Sequence, residues 1–295
     1  NDQTLGQIHR VKAGGGRSTQ LSVEPGHYHA PRFSPDGKFI VFEISGGGWL
    51  TSPEWSMETG VFRMPSGGGQ AQRVTRDGGN PHFGSRNDRL YVNRSSESGE
   101  GLSLVSIDLN GEAPRVHADG KYVTQIEVAP NERYLAFREN YHVYALPLPP
   151  GGKPLTLSTK VKSVPAVRAS RDGGNFPHWT DGGKALNWTL GATAFNAATD
   201  VLFAADEDGK STYIPPGQGI SMAMRLETDI PQGKVALTGA RLITMADEDG
   251  GVIDNGVIVI ERNRILAIGD AATPIPADAV QVDVSGKTII PGLID

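Results

Sequence analysis

Histidines and clustered carboxylates are the residues of this chain best suited to chemistry, and few of them stand in a catalytic or metal-binding pattern. His27-Tyr28-His29 is the only His-x-His. On a strand both imidazoles would share one face, as a pair of metal ligands requires. No carboxylate or third histidine follows at a compatible spacing, so a surface or inter-strand role outweighs a metal role. His82 and His178 recur at equivalent places, beside Phe83 and Trp179, where Arg32 stands beside Phe33. Such recurrence favours a structural role, with the lining of a channel as its functional counterpart. Asp206-Glu207-Asp208-Gly209 and Asp247-Glu248-Asp249-Gly250 gather carboxylates, but neither has the ligand spacing of a calcium loop, and turns explain both. Gly286-Lys287-Thr288 echoes a phosphate loop, yet Gln281 stands where its first glycine belongs. No Gly-x-Ser-x-Gly occurs, and the absence of cysteine excludes disulfides and thiolate metal sites. Asn93-Arg94-Ser95 and Asn187-Trp188-Thr189 fit glycosylation sequons and read as chance matches. No catalytic, cofactor-binding or metal-ligating position is assigned.

The elements that would position these residues are short strands. Among 295 residues, 38 glycines and 20 prolines cluster between short apolar runs, which predicts many tight turns. The length allows two domains. A formal net charge of −5 leaves no basic stripe for nucleic acid. No apolar run reaches the roughly 18 residues of a membrane span, and the first residues lack the basic start and apolar core of a signal peptide.

Four stretches repeat: Phe33 to Phe42, Phe83 to Val92, Val128 to Phe137 and Trp179 to Trp188. In each, an apolar residue ends one strand, a polar turn follows, and a pair of apolar residues two apart begins the next. The pairs are Ile40/Phe42, Leu90/Val92, Leu135/Phe137 and Leu186/Trp188. Three copies carry a proline two residues before the aromatic: Pro31, Pro81 and Pro177. Two further strand-like runs follow the repeat, as at 60–64 and 71–75, and the copies are roughly 45 to 50 residues apart, a propeller-blade spacing. Phe33-Ser-Pro-Asp-Gly-Lys38 and the Gly-Gly hairpins resemble the TolB-like β-propeller family over residues 7 to 215. The copy at Val128 departs from it, because Asn131-Glu132-Arg133 replaces the glycine turn. Residues 7–11 and 17–23 read as the last two strands of an earlier blade. The fold class is therefore all-β: four blades and a partial one, then a small β-sandwich segment. Such propellers usually have more blades, so the resemblance implies an internal segment of a longer protein. The alternative is a four-bladed ring closed by the orphan strands.

Residues 1–215 are read as the propeller, 216–234 as a linker, and 235–295 as a second module. In the module, Leu237-Thr-Gly-Ala-Arg241, Asn255-Gly-Val-Ile-Val259, Ile265-Leu-Ala-Ile-Gly269 and Gly286-Lys-Thr-Ile-Ile-Pro-Gly-Leu-Ile-Asp295 follow in order. Together they resemble the N-terminal β-sandwich segment of the metal-dependent amidohydrolases. In that family the last motif leads into a His-x-His metal pair, and here the chain stops at Asp295. The resemblance implies a parent enzyme that hydrolyses C–N bonds with zinc or another divalent metal, on a small-molecule or peptide-like substrate. This chain would hold no cofactor and be inactive alone, and residues 235–295 would lack packing partners. The competing expectation is a non-catalytic propeller that binds a peptide or protein partner at its face. Both imply a periplasmic or secreted protein without a membrane span.

Overall fold

Alternation on the second strand of each repeat decides how the sheets stack. Ile40, Phe42, Leu90, Val92, Leu135, Phe137, Leu186 and Trp188 are all buried, as are the intervening Val41, Tyr91 and Ala136. A strand buried on both faces needs a sheet on either side. The computed structural model, which describes residues 5–47, 58–159, 166–227, 230, 232–246 and 250–292, supplies those sheets. The chain divides into two compact units, Asn1–Ala223 and Met224–Asp295.

The first unit is a series of antiparallel propeller blades. Blade 1 comprises His27–Phe33, Phe39–Ser45, Gly60–Pro65 and Gln72–Thr75. Blade 2 comprises Gly79–Phe83, Arg89–Ser95, Leu102–Asp108 and Arg115–Gly120, and blade 3 comprises Val123–Val128, Tyr134–Glu139, His142–Pro147 and Val167–Arg168. Blade 4 comprises Asn175–Thr180, Ala185–Leu190, Thr193–Ala198 and Ile220–Ser221. Ahead of them, His9–Arg10 pairs with Thr19–Gln20 as a two-stranded partial blade. One further short strand, Leu155–Thr156, leaves blade 3 and runs parallel to the outer strand of blade 2.

Cores form between blades. Val41, Val61 and Val74 of blade 1 meet Phe83, Leu90 and Val92 of blade 2. Tyr91, Leu104 and Ala118 of blade 2 meet Ile126, Leu135 and Phe137 of blade 3, with Leu157 added from the crossing segment. Ala136, Val143 and Ala145 of blade 3 meet Trp179, Leu186 and Trp188 of blade 4. The partial blade offers only Ile8 and Leu21 to blade 1.

The turns explain the repeat. Ser34 Oγ donates to Asp36 Oδ1 (2.7 Å) and accepts from Phe39 N (3.0 Å), and Gly37 takes φ 69°. The Val128 copy makes the same turn with Ala129 N bonding Tyr134 O, and Glu132 occupies the left-handed conformation at φ 55°. That backbone costs a non-glycine residue roughly 1 kcal/mol or more, and two side-chain hydrogen bonds described below hold Glu132 in it.

The runs 201–205 and 211–214 read in the sequence as strands that could finish blade 4. They do not supply its outer strand: Thr199–Leu202 is a helical turn, and Ala205 and Ser211 share one isolated bridge. Ile220–Ser221 pairs with Thr193 and Ala194 instead, which carries the first unit past the expected linker start at 216.

The second unit is a five-stranded sheet of Lys234–Ile243, Val252–Glu261, Arg264–Gly269, Ala279–Asp283 and Thr288–Ile289. The sequence about Gly239 reads as two short strands, and a bulge there joins them into one ten-residue strand, with φ 88° that glycine accepts without a Cβ clash. Ala236, Val257 and Val259 pack on one face under Ile275, and Ala240, Leu242 and Ile258 on the other. On the Ile258 face the apolar rows run on to Ile265, Ile268, Val280 and Val282, which are exposed. The acidic turn at 247–249 and residues 293–295 of the terminal motif lie outside the described residues.

Candidate functional site

Proline lacks a backbone N–H and cannot continue a strand ladder. In blades 1, 2 and 4 the inner strand therefore bulges at Pro31, Pro81 and Pro177, where the register shifts. The residue before each proline, Ala30, Asn80 and Phe176, sits at φ 45°, 49° and 54°. Blade 3 has Ile126 at that position and shifts its register two residues earlier.

After the bulge each inner strand carries one side chain into a shared channel: Arg32, His82, Glu127 and His178, each immediately before the repeat's apolar residue. They border a cavity of about 440 Å³ on the side of the repeat turns, with Phe33, Phe83 and Trp179 as its apolar walls. A second cavity of about 650 Å³ shares Arg32 and His178 and extends past Asn80, Asn93 and Gln125.

Glu127 is the hub of this belt, its side chain only 4 % exposed. Its Oε1 accepts from Arg32 Nη2 (3.2 Å), Asn80 Nδ2 (3.1 Å) and Gln125 Nε2 (3.3 Å), so three blades meet on one oxygen. Blade 4 joins through Trp179 Nε1, which donates to the Glu127 carbonyl (3.2 Å). Oε2 accepts no hydrogen bond from the described residues, and His82 Nδ1 is 3.8 Å away. That imidazole is committed elsewhere. Val128 N donates to His82 Nε2 (3.0 Å), which places the proton on Nδ1 and directs it to Asn80 O (2.9 Å). His82 is thus neutral, and Arg32 alone balances the Glu127 charge. His178 repeats half of this arrangement: its Nδ1 donates to Phe176 O (2.9 Å).

A tier of side chains supports the rim. Tyr91 Oη donates to Glu132 Oε1 (3.0 Å) and Ser85 Oγ to Glu132 Oε2 (2.9 Å). Burial, then the neighbouring Glu132, pushes the Tyr91 phenol well above its usual range. Tyr91 lies between the rings of His82 and His117. Ser106 Oγ bonds His117 Nε2 at 2.7 Å, a nucleophile–base distance, but Ser106 is fully buried and accepts from Arg89 Nε (2.9 Å). The pair is structural. Burial, helped by Arg115 and Arg89, lowers the His117 pKa to about 4 and keeps the ring neutral.

The other residues singled out in the sequence do not assemble a site. His29 Nε2 bonds Ser45 Oγ (2.9 Å) across the strand pair, and no group of three or more metal-ligating side chains occurs among the described residues. Asp206 Oδ1 accepts from Asp208 N and Lys210 N, closing a turn on itself. Asn93 is buried, with both ends of its amide on Ile126, so its sequon is closed to modification in the fold. Glu127 was not singled out, although the column Arg32, His82, His178 pointed to it.

No family model matches the chain. Imidazolonepropionase from Sphingopyxis alaskensis is 40 % identical over 67 residues, 23 % of this chain and 17 % of that protein. The Paracoccus denitrificans imidazolonepropionase is 46 % identical over 61 residues, 19 % of this chain and 15 % of that protein. The chain thus spans less than a fifth of these curated relatives. Among solved structures, TolB from Acinetobacter baumannii superposes with TM-score 0.49 at 17 % identity, over 66 % of this chain and 46 % of that one. A putative TolB from Agrobacterium tumefaciens gives 0.44 at 11 % identity, over 85 % and 84 %. The Pseudomonas aeruginosa periplasmic gluconolactonase gives 0.42 at 14 % identity, over 92 % and 81 %. No helix among the described residues is long and apolar enough to cross a membrane.

Proposed function

We propose that this chain contributes a propeller and a β-sandwich module to a metal-dependent amidohydrolase that cleaves C–N bonds, with a peptide-like molecule as its substrate class. The observation that carries this reading is the 40 % identity over 67 residues to an imidazolonepropionase, an amidohydrolase. The exposed apolar rows at Ile265, Ile268, Val280 and Val282 support it, because a sheet face of that character suits a further layer of protein. The catalytic zinc or other divalent metal would be bound by residues other than those described here. The proposed setting is periplasmic or secreted. Reading the gene past Asp295 tests the proposal: a His-x-His directly after it, followed by barrel repeats, is the expected result. A stop codon there, or zinc-dependent amide hydrolysis by the 295-residue chain alone, would overturn it.

A second reading rests on the channel. Arg32, Glu127 and His178 converge on a cavity with aromatic walls, an arrangement suited to capturing a ligand without chemistry. In this reading the propeller binds a peptide or a protein segment. Protection of the channel residues from hydrogen exchange by an added peptide is the expected outcome.

A further inference from the structure

We infer that the channel binds a small zwitterion, a free amino acid or dipeptide, with the ammonium on Glu127 Oε2 and the carboxylate on Arg32. The inference rests on the second reading above and is independent of the amidohydrolase assignment.

Glu127 supplies the first argument. Its side chain is 4 % exposed, yet Oε2 is not sealed from solvent and remains open to a donor from the cavity. Oε1 has three donors and Oε2 has none, although both belong to a residue that borders the cavity. The missing donor is one a ligand can bring.

Arg32 supplies the second. Its side chain is 39 % exposed, and its hydrogen bond to Glu127 uses a single terminal nitrogen. A guanidinium carries five N–H donors, and a carboxylate is its best-matched acceptor.

Charge balance chooses between ligand classes. Arg32 and Glu127 cancel, and His82 is held neutral by its two backbone bonds. A ligand of one sign would therefore meet a like charge about as closely as an opposite one. A ligand carrying both signs a few bonds apart complements the pair. Size and walls agree with this choice. About 440 Å³ lies within the usual range for small-ligand sites. Phe33 and Trp179 offer aromatic surface to a side chain and to the ammonium.

Calorimetry on the whole 295-residue chain at neutral pH tests this with alanyl-phenylalanine, its N-acetyl form, its C-terminal amide and a doubly blocked longer peptide. The dipeptide is expected to bind, and blocking either end to weaken it about tenfold or more, the effect of losing one charge-assisted hydrogen bond. Phe33→Ala, at an exposed wall position, is expected to weaken the dipeptide while leaving the melting temperature nearly unchanged. Arg32→Gln is expected to flatten the difference between the dipeptide and its amide, a readout that simple loss of stability does not produce. If the blocked forms bind as tightly as the dipeptide and Phe33→Ala weakens all of them, the zwitterion inference fails and the binding-channel reading stands. If no form binds, or if binding ignores Phe33→Ala, both fail.

Discussion

Phe33 and Phe83 hold the same place in the repeat and have opposite environments. Phe83 is 7 % exposed and Phe33 53 %. The difference lies in the preceding sheet. Phe83 packs against Val41, Val61 and Val74, one residue from each of the second, third and fourth strands of blade 1. Ahead of Phe33 the described residues give two strands, which supply Ile8 and Leu21 and, among those residues, no counterpart of Val41. Val128 and Trp179, preceded by complete blades, are buried like Phe83. The residue type is thus set by the repeat, and its burial by the neighbour.

The largest expected effect is at that position. Phe83→Ala should destabilise the first unit by about 3–5 kcal/mol, as a buried aromatic lost to a cavity does, and Phe33→Ala by less than about 1 kcal/mol. Denaturant unfolding of both variants checks this, and equal losses would break the comparison. Next is Glu127→Ala, which strips the shared acceptor from Arg32, Asn80 and Gln125. A loss of about 2–4 kcal/mol is expected, less than for a fully enclosed ion pair because Arg32 reaches solvent.

A smaller, pH-dependent effect belongs to His117. Its folded pKa of about 4 lies below the unfolded value of 6.5, so the unfolded chain binds the extra proton first. Its contribution to stability is complete above pH 6.5, declines as the pH falls from 6.5 to about 4, and does not change further below that. Melting curves of wild type and His117→Gln across this window should converge toward acid pH. Parallel curves would show that His117 is not the group responsible. The smallest effect is Ala30→Gly, which relieves φ 45° and should raise stability by at most about 1 kcal/mol. The same change at Asn80 should destabilise, because the Asn80 side chain reaches Glu127 and Ile126.

The blades were legible because their signal is local. Alternating pairs such as Leu90/Val92 and turns such as Ser34-Pro-Asp-Gly37 declare strands and hairpins within ten residues. The degenerate copy at Val128 hid its turn, since Glu132 in a left-handed conformation is held by Tyr91 and Ser85 from the adjacent blade. The outer strand of blade 4 was missed for a similar reason: Ile220–Ser221 is too short to show alternation, and its pairing partner is distant in sequence. Glu127 follows the same logic. Its column was visible in Arg32, His82 and His178, but its three partners meet only in three dimensions. In the second unit the order of motifs was readable, whereas the bulge at Gly239 that keeps Lys234–Ile243 one strand depends on register.

The excursion of Leu155–Thr156 links two blades that the repeat would keep separate. The segment leaves blade 3, pairs with Ala118 and Asp119 of blade 2, buries Leu157 in the core between them, and the chain then returns to blade 3 at Val167. The chain of blade 3 is thus tied into the sheet of blade 2 and into the core between the two. Blades 2 and 3 are accordingly expected to unfold as one cooperative unit, with their slowest-exchanging amides sharing a single opening free energy in native-state hydrogen exchange.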